Sequence, residues 1–268
     1  MQPAQPSDPP VQTIRVQAQR AIDLAYVDEG RGPALLAIHG LPGTHRDFRW
    51  LAPALRERVR LVRIDQPGFG RSSVDASDHW PTVADAIARA ADAIIGGPFA
   101  VLGHSFGAPM ASAVAARCEH ARAIVWLAPV GVRPHRLYRR VQPVLPAVAA
   151  AATWPVLGPA VVRLWRRALL ASGFPSSTRP PEVARTLALL RRFAFADHRA
   201  HVEAIRTRGL PAMVAWSQDD PFVEPAVVQE LGDAAAARVR LGFAHGGHNV
   251  QKTMALELAD AIAGLLGG

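Results

Sequence analysis

A single cysteine, Cys118, stands in the 268 residues, so no intrachain disulfide can form, as suits a reducing cytoplasm, the expected compartment. Lysine is nearly missing too: of 30 basic residues only Lys252 is one, and the other 29 are arginine. Such a skew beside abundant alanine reads as GC-rich coding bias. Aromatic residues make up only 6% and are not interleaved with the basic ones, so the net charge of +8 does not imply a nucleic-acid partner. No metal-ligand cluster and no dinucleotide-type glycine loop is apparent. His198 and His201, three apart on an expected helix, lack a third ligand, and no cofactor is expected.

Continuous apolar runs are scarce as well. One uncharged stretch of 22 residues, Val141 to Val162, lies between Arg140 and Arg163 and is long enough to raise a transmembrane helix. Pro143, Pro146, Pro155 and Pro159 argue against it, because each interior proline removes a backbone hydrogen bond and clashes with the preceding turn. Two or three short helices packed on the main domain and lining a substrate pocket are the expectation. The alternative is that their apolar face and arginines rest on an anionic membrane surface. The first ten residues have neither the basic start nor the apolar centre of a signal peptide, and residues 1–12 read as a loose proline-rich tail.

Half of the residues are apolar, enough to build one sizeable core in a chain of this length. Short apolar segments alternate with helical ones. Residues 13–18 and 21–28 form an expected edge hairpin, followed by strands at 33–38, 59–64, 99–102, 123–127, 212–216 and 238–243. This predicts an α/β fold with a mostly parallel eight-stranded sheet and helices on both faces. The interval of some eighty residues before position 210 is too long for a crossover, so the core is expected at 13–131 and 210–268 with 132–209 inserted. That insertion carries 14 of the 29 arginines against Glu182, Asp197 and Glu203.

Gly103-His104-Ser105-Phe106-Gly107 follows an apolar strand and precedes a helix, so Ser105 sits at the apex of a sharp strand-turn-helix, with glycines two positions either side giving both elements room. A serine hydroxyl needs an adjacent base, and the base needs a third group to orient it. His245 and His248 end the last strand segment, and Asp219 and Asp220 follow the strand before it. Residues alone leave both pairs open.

With His39-Gly40, Asp65-Gln-Pro-Gly-Phe-Gly-Arg-Ser72, Asp220-Pro221 and Gly246-Gly247-His248 in that order, the chain from about Thr13 onward resembles the α/β-hydrolase fold family. The resemblance implies Ser105 as nucleophile, Asp220 as the carboxylate before Pro-Phe and His248 as base. It implies an oxyanion hole from the backbone N–H groups of Leu41 and Phe106, a pocket at His39, Gly40 and His104, and a structural role for Asp65. It also makes 132–209 a helical cap over the site. The expected activity is cleavage of a carboxylic ester or lactone with an apolar acyl part, a small-molecule substrate, through an acyl-enzyme. Hydrolysis of a carbon-carbon bond in a ring-cleavage product, or ligand binding without catalysis, is the alternative. A serine at the apex argues against dehalogenase and epoxide-hydrolase chemistry, which in this fold use an aspartate there.

Overall fold

Strand and helix segments fold in the order their alternation implies. The computed structural model describes residues 7–18, 21–73 and 79–267. Its strands are β1 (Gln12–Gln17), β2 (Ala21–Glu29), β3 (Ala34–Ile38), β4 (Arg60–Ile64), β5 (Phe99–His104), β6 (Ala121–Leu127), β7 (Ala212–Ser217) and β8 (Val239–Phe243). They make one eight-stranded sheet in the order β1-β2-β4-β3-β5-β6-β7-β8. Only the β1/β2 and β2/β4 pairings are antiparallel. From β4 onward every pairing is parallel, so these strands end on one edge of the sheet.

Helices are α1 (Ala52–Leu55), α2 (Trp80–Ile95), α3 (Gly107–Arg117), α4 (Arg136–Val141), α5 (Leu145–Ala151), α6 (Gly158–Ala171), α7 (Pro180–Arg192), α8 (Phe195–Thr207), α9 (Pro225–Ala234), α10 (Val250–Thr253) and α11 (Ala255–Gly267). Because side chains alternate along a strand, β3 sends Leu36 and Ile38 to one core with Ile87 of α2 and Met110 of α3. Leu35 and Ala37 go to a second core with Leu55 of α1 and Ile262 of α11. A fully buried parallel strand therefore reads as an unbroken apolar run, as Ala34-Leu-Leu-Ala-Ile38 does. β8, at the edge, is only half covered.

Of the expected loose tail, residues 1–6 lie outside the described residues, and the remainder departs from it. Arg63 on β4 is buried and donates to Asp8 Oδ1 at 2.8 Å, while Asp8 Oδ2 pairs with Arg46 at 2.7 Å. A desolvated guanidinium needs carboxylates, and Asp8 together with Glu29 supplies them, which ties this segment to the sheet. Gln12 already pairs with Tyr26 in the β1/β2 ladder. Cys118 is the C-cap of α3.

Five helices, α4 to α8, fill the interval between β6 and β7. The prolines divide the uncharged stretch: Pro146 and Pro159 stand in the first turns of α5 and α6, while Pro143 and Pro155 lie between helices. Among the described residues no helix is long and apolar enough to cross a membrane. α8 is anchored at its buried His198, whose Nδ1–H donates to the Gly131 carbonyl at 3.0 Å while Nε2 meets Ser112 Oγ at 3.2 Å. Ser112 also accepts from Trp126 Nε1 at 3.1 Å, so α8, α3 and β6 share one buried polar network.

Candidate active site

β5 ends and α3 begins within three residues, which forces their backbones together. A Cβ on Gly103 would lie 2.6 Å from the Ala108 Cα, and one on Gly107 would lie 2.3 Å from the Ile38 carbonyl. Glycine alone fits at both. Between them Ser105 takes φ 53°, in the left-handed region that costs most residues of order 1–3 kcal/mol. The surroundings hold it there: Ser105 N–H donates to the Leu127 carbonyl at 3.1 Å, and its own carbonyl accepts from Ala108 at 3.0 Å and Val130 at 3.1 Å. The hydroxyl is thereby lifted above the parallel strands' C-terminal edge.

His248 and Asp220 arrive from the loops after β8 and β7. His248 Nε2 lies 2.8 Å from Ser105 Oγ, and His248 Nδ1 lies 2.8 Å from Asp220 Oδ2. The carboxylate can only accept from Nδ1–H, which leaves Nε2 a lone pair facing the hydroxyl proton. Asp220 Oδ1 accepts from the backbone N–H groups of Phe222 at 2.8 Å and Val223 at 3.1 Å. Burial alone would raise its pKa, but the His248 contact and these two N–H groups outweigh burial and keep it below the ordinary carboxylate value. Such a line lets the imidazole take the hydroxyl proton while the carboxylate stabilises the resulting charge.

The adjacent pair is separated by the fold. Asp219 turns outward, accepting from Gly247 N–H at 2.7 Å and from the Ser217 hydroxyl, contacts that hold its pKa near 2. It fastens the turn before His248. His245 points to solvent, its nearest acid being Asp219 at 3.7 Å.

The remaining expected residues divide as well. Gly40 approaches the serine turn so closely that a Cβ there would lie 3.0 Å from Ser105 Cβ, and Gly40, Leu41 and His104 line a cavity of about 380 Å³ beside Ser105. Phe106 is the N-cap of α3, whose first-turn N–H groups have no partner within the helix. His39 does not line that cavity, contrary to the expectation. It is fully buried, its Nε2 accepting from Gln66 N–H at 3.0 Å and its Nδ1–H donating to the Gly40 carbonyl at 2.7 Å. A strand-end histidine thus braces the Gly40-Leu41 turn from behind. Asp65 likewise spans its own loop, accepting from His45 and Arg71 N–H groups at 2.7 and 2.9 Å.

The resemblance assigns no pocket role to several of the lining residues. Phe222 meets the His248 ring at 5.1 Å, and Phe174, from the segment after α6, meets Phe222 at 6.1 Å. On another wall the cations of Arg49 and Lys252 lie 5.6 and 5.8 Å from the Trp50 ring centre, so the cavity is less apolar than expected. Within the inserted segment, Ser172 to Pro175 reach this cavity, whereas the uncharged stretch does not. Buried His135, against Phe106 at 5.9 Å, has its pKa lowered to about 4 by burial and by His248.

Three groups that could ligate a metal do meet among the described residues, at the opposite edge of the sheet. Asp92 Oδ1 accepts from Cys118 Sγ–H at 3.4 Å and from His120 Nδ1 at 2.9 Å, and these hydrogen bonds account for the cluster. It does not include His198 or His201.

The model of the alpha/beta hydrolase fold matches residues 33–254. A pimeloyl-[acyl-carrier protein] methyl ester esterase of Stenotrophomonas maltophilia is 29% identical over 266 residues, 89% of this chain and 95% of that protein. The Mycobacterium tuberculosis protein named "Probable oxidoreductase EphD" is 36% identical over 99 residues, 34% of this chain, which spans 17% of that protein's length. Among solved structures, haloalkane dehalogenase DbeA of Bradyrhizobium elkani superposes with a TM-score of 0.76 at 18% identity, covering 97% of this chain and 98% of that one.

Proposed function

The chain belongs to the alpha/beta hydrolase fold family and is a hydrolase, and from that premise we propose that it cleaves a carboxylic ester or lactone through an acyl-enzyme on Ser105. The unbroken line from Ser105 Oγ through His248 to Asp220, with both contacts at 2.8 Å and its open end in the cavity, carries this. Ser105 Oγ attacks the ester carbonyl carbon as His248 Nε2 takes its proton. The carbonyl oxygen becomes an oxyanion held by the N–H groups of Leu41 and Phe106, each worth about 3 kcal/mol where such donors have been removed. Collapse breaks the bond to the alcohol oxygen, which leaves with the proton from His248. Water, deprotonated by the same imidazole, then attacks the acyl carbon, and the acid departs as Ser105 regains its proton.

Helices α4 to α8 serve as a cap in this scheme, with Phe174 and Phe222 offering the acyl part an apolar wall next to His248. The esterase name of the Stenotrophomonas relative supports an ester substrate. Serine rather than aspartate at residue 105 stands against an alkyl-enzyme of the kind a dehalogenase forms.

Turnover of p-nitrophenyl esters of graded acyl length, run beside vinylogous diketones with Ser105→Ala as control, tests the proposal. Ester hydrolysis lost in Ser105→Ala, with a fluorophosphonate label mapping to Ser105, is expected. Preferential turnover of the diketones would shift the reaction to carbon-carbon cleavage, and no turnover with no label would remove the enzyme from this scheme.

A further inference from the structure

α6 is apolar on two opposite sides. Val162 is buried and Val161, Trp165 and Leu169 are partly covered, which forms the inner side. Leu157, Ala160, Leu164, Ala168 and Ala171 recur at three- and four-residue steps and are all exposed, which forms the outer side. Leu164 is 69% exposed, and the turn leading into the helix holds Trp154 at 59% and Val156 at 86%. A surface helix ordinarily turns polar residues to water, and large apolar groups gathered at one place mark a contact surface. Arg163 and Arg167 flank the outer stripe.

Charge identifies the occupant. From Val132 to Pro181 the chain has eight arginines and no acid. Glu230, Glu224 and Glu182, from outside that stretch, pair with Arg133, Arg139 and Arg179, and Arg163 and Arg167 stand exposed on α6. Stacking a second copy on this face through a twofold axis would set these like charges against each other with no acid between them. An anionic bilayer answers both features: Trp154, Val156 and Leu164 enter the headgroup boundary while the guanidiniums meet lipid phosphates. The last residue of α6 is followed directly by Ser172 to Pro175, which line the cavity beside Ser105.

We infer that the outer face of α6 and the Trp154–Leu157 turn dock the protein on an anionic lipid surface with the cavity's rim beside the headgroups. This goes beyond the ester-hydrolase scheme and does not depend on it, since docking is read with no substrate present.

Sedimentation with phosphatidylglycerol/phosphatidylcholine vesicles, and with phosphatidylcholine alone, tests it, with oligomeric state followed by sedimentation velocity without lipid. The wild type is expected to pellet with the anionic vesicles, and tryptophan emission to shift to the blue by a component missing in Trp154→Ala. Arg163→Gln with Arg167→Gln is expected to weaken binding about 25-fold, about fivefold for each cation removed near such a surface. Val156→Asp is expected to abolish it, with Tm and hydrolysis of a soluble short ester unchanged. Absence of pelleting, pelleting untouched by these variants, or binding with no change in Trp154 emission would overturn the inference. So would a lipid-free dimer that Val156→Asp dissociates, since the face would then be a contact between copies.

Discussion

His104 donates from Nε2 to the backbone carbonyl of His248 at 3.1 Å, so the residue before Ser105 holds the loop that presents His248 to it. Burial, reinforced by His248, lowers the His104 pKa to about 3 and keeps the ring neutral, with the proton on the nitrogen that faces the carbonyl. His104→Phe keeps an aromatic ring at this position and removes the bond. A net hydrogen bond is worth about 1 kcal/mol, so kcat on a soluble ester is expected to fall roughly fivefold with KM little changed. A variant with wild-type kcat would show that the loop needs no such tie.

Asp220→Asn is expected to cut turnover by about four orders of magnitude, since an amide facing Nδ1 can select the wrong imidazole tautomer. Asp219→Asn keeps an oxygen for the Gly247 N–H and should cost less than about tenfold, because the lost charge faces water. His248→Ala should abolish hydrolysis, while His245→Ala should leave most of it. Equal damage from Asp219→Asn and Asp220→Asn, measured as kcat/KM, would contradict the outward orientation of Asp219.

Much of this arrangement is legible before any coordinates. Buried parallel strands announce themselves as apolar runs, and the glycines at 103 and 107 mark the tight turn. The Asp-Pro-Phe and Gly-Gly-His segments fall where β7 and β8 end. What stayed hidden depends on contacts distant in sequence. His39 and His104 look alike as strand-end histidines, yet one braces a turn from behind and the other faces the cavity. Phe174 lies in a segment without motif, just after α6, and meets Phe222 only through a contact distant in sequence. An uncharged stretch also records that apolar groups want cover without saying what covers them, and Trp154 and Val156 emerge exposed.

Gly103→Ala and Gly107→Ala test the packing that creates the serine turn. Each Cβ would meet backbone atoms at 2.6 and 2.3 Å, which cannot yield as a flexible side chain would. Overpacking of this kind costs typically 1–3 kcal/mol. The expected result is a lowered urea midpoint and, in whatever folds, slower fluorophosphonate labelling of Ser105. Gly97→Ala, where a Cβ meets nothing within 4 Å, is the control expected to keep wild-type labelling.

Acid should destabilise the fold well above the carboxylate range. Burial lowers the pKa of His198 and His104 to about 3 and that of His135 to about 4, and it lowers His39 in the same direction. The unfolded chain takes up these protons near pH 6.5 and the folded one does not. Their contribution to stability is therefore complete above about pH 6.5 and is lost as pH falls toward the folded values. Each such histidine adds up to about 1.4 kcal/mol per pH unit to the slope of stability inside that window. Asp220, whose pKa is depressed, acts in the same direction only below about pH 4. Urea denaturation between pH 7 and 5 should show the steep fall, and His198→Gln should flatten it by about one proton's worth while lowering stability at pH 7, since the Gly131 and Ser112 contacts are disturbed. An unchanged slope in that variant would mean that His198 is not held neutral by the fold.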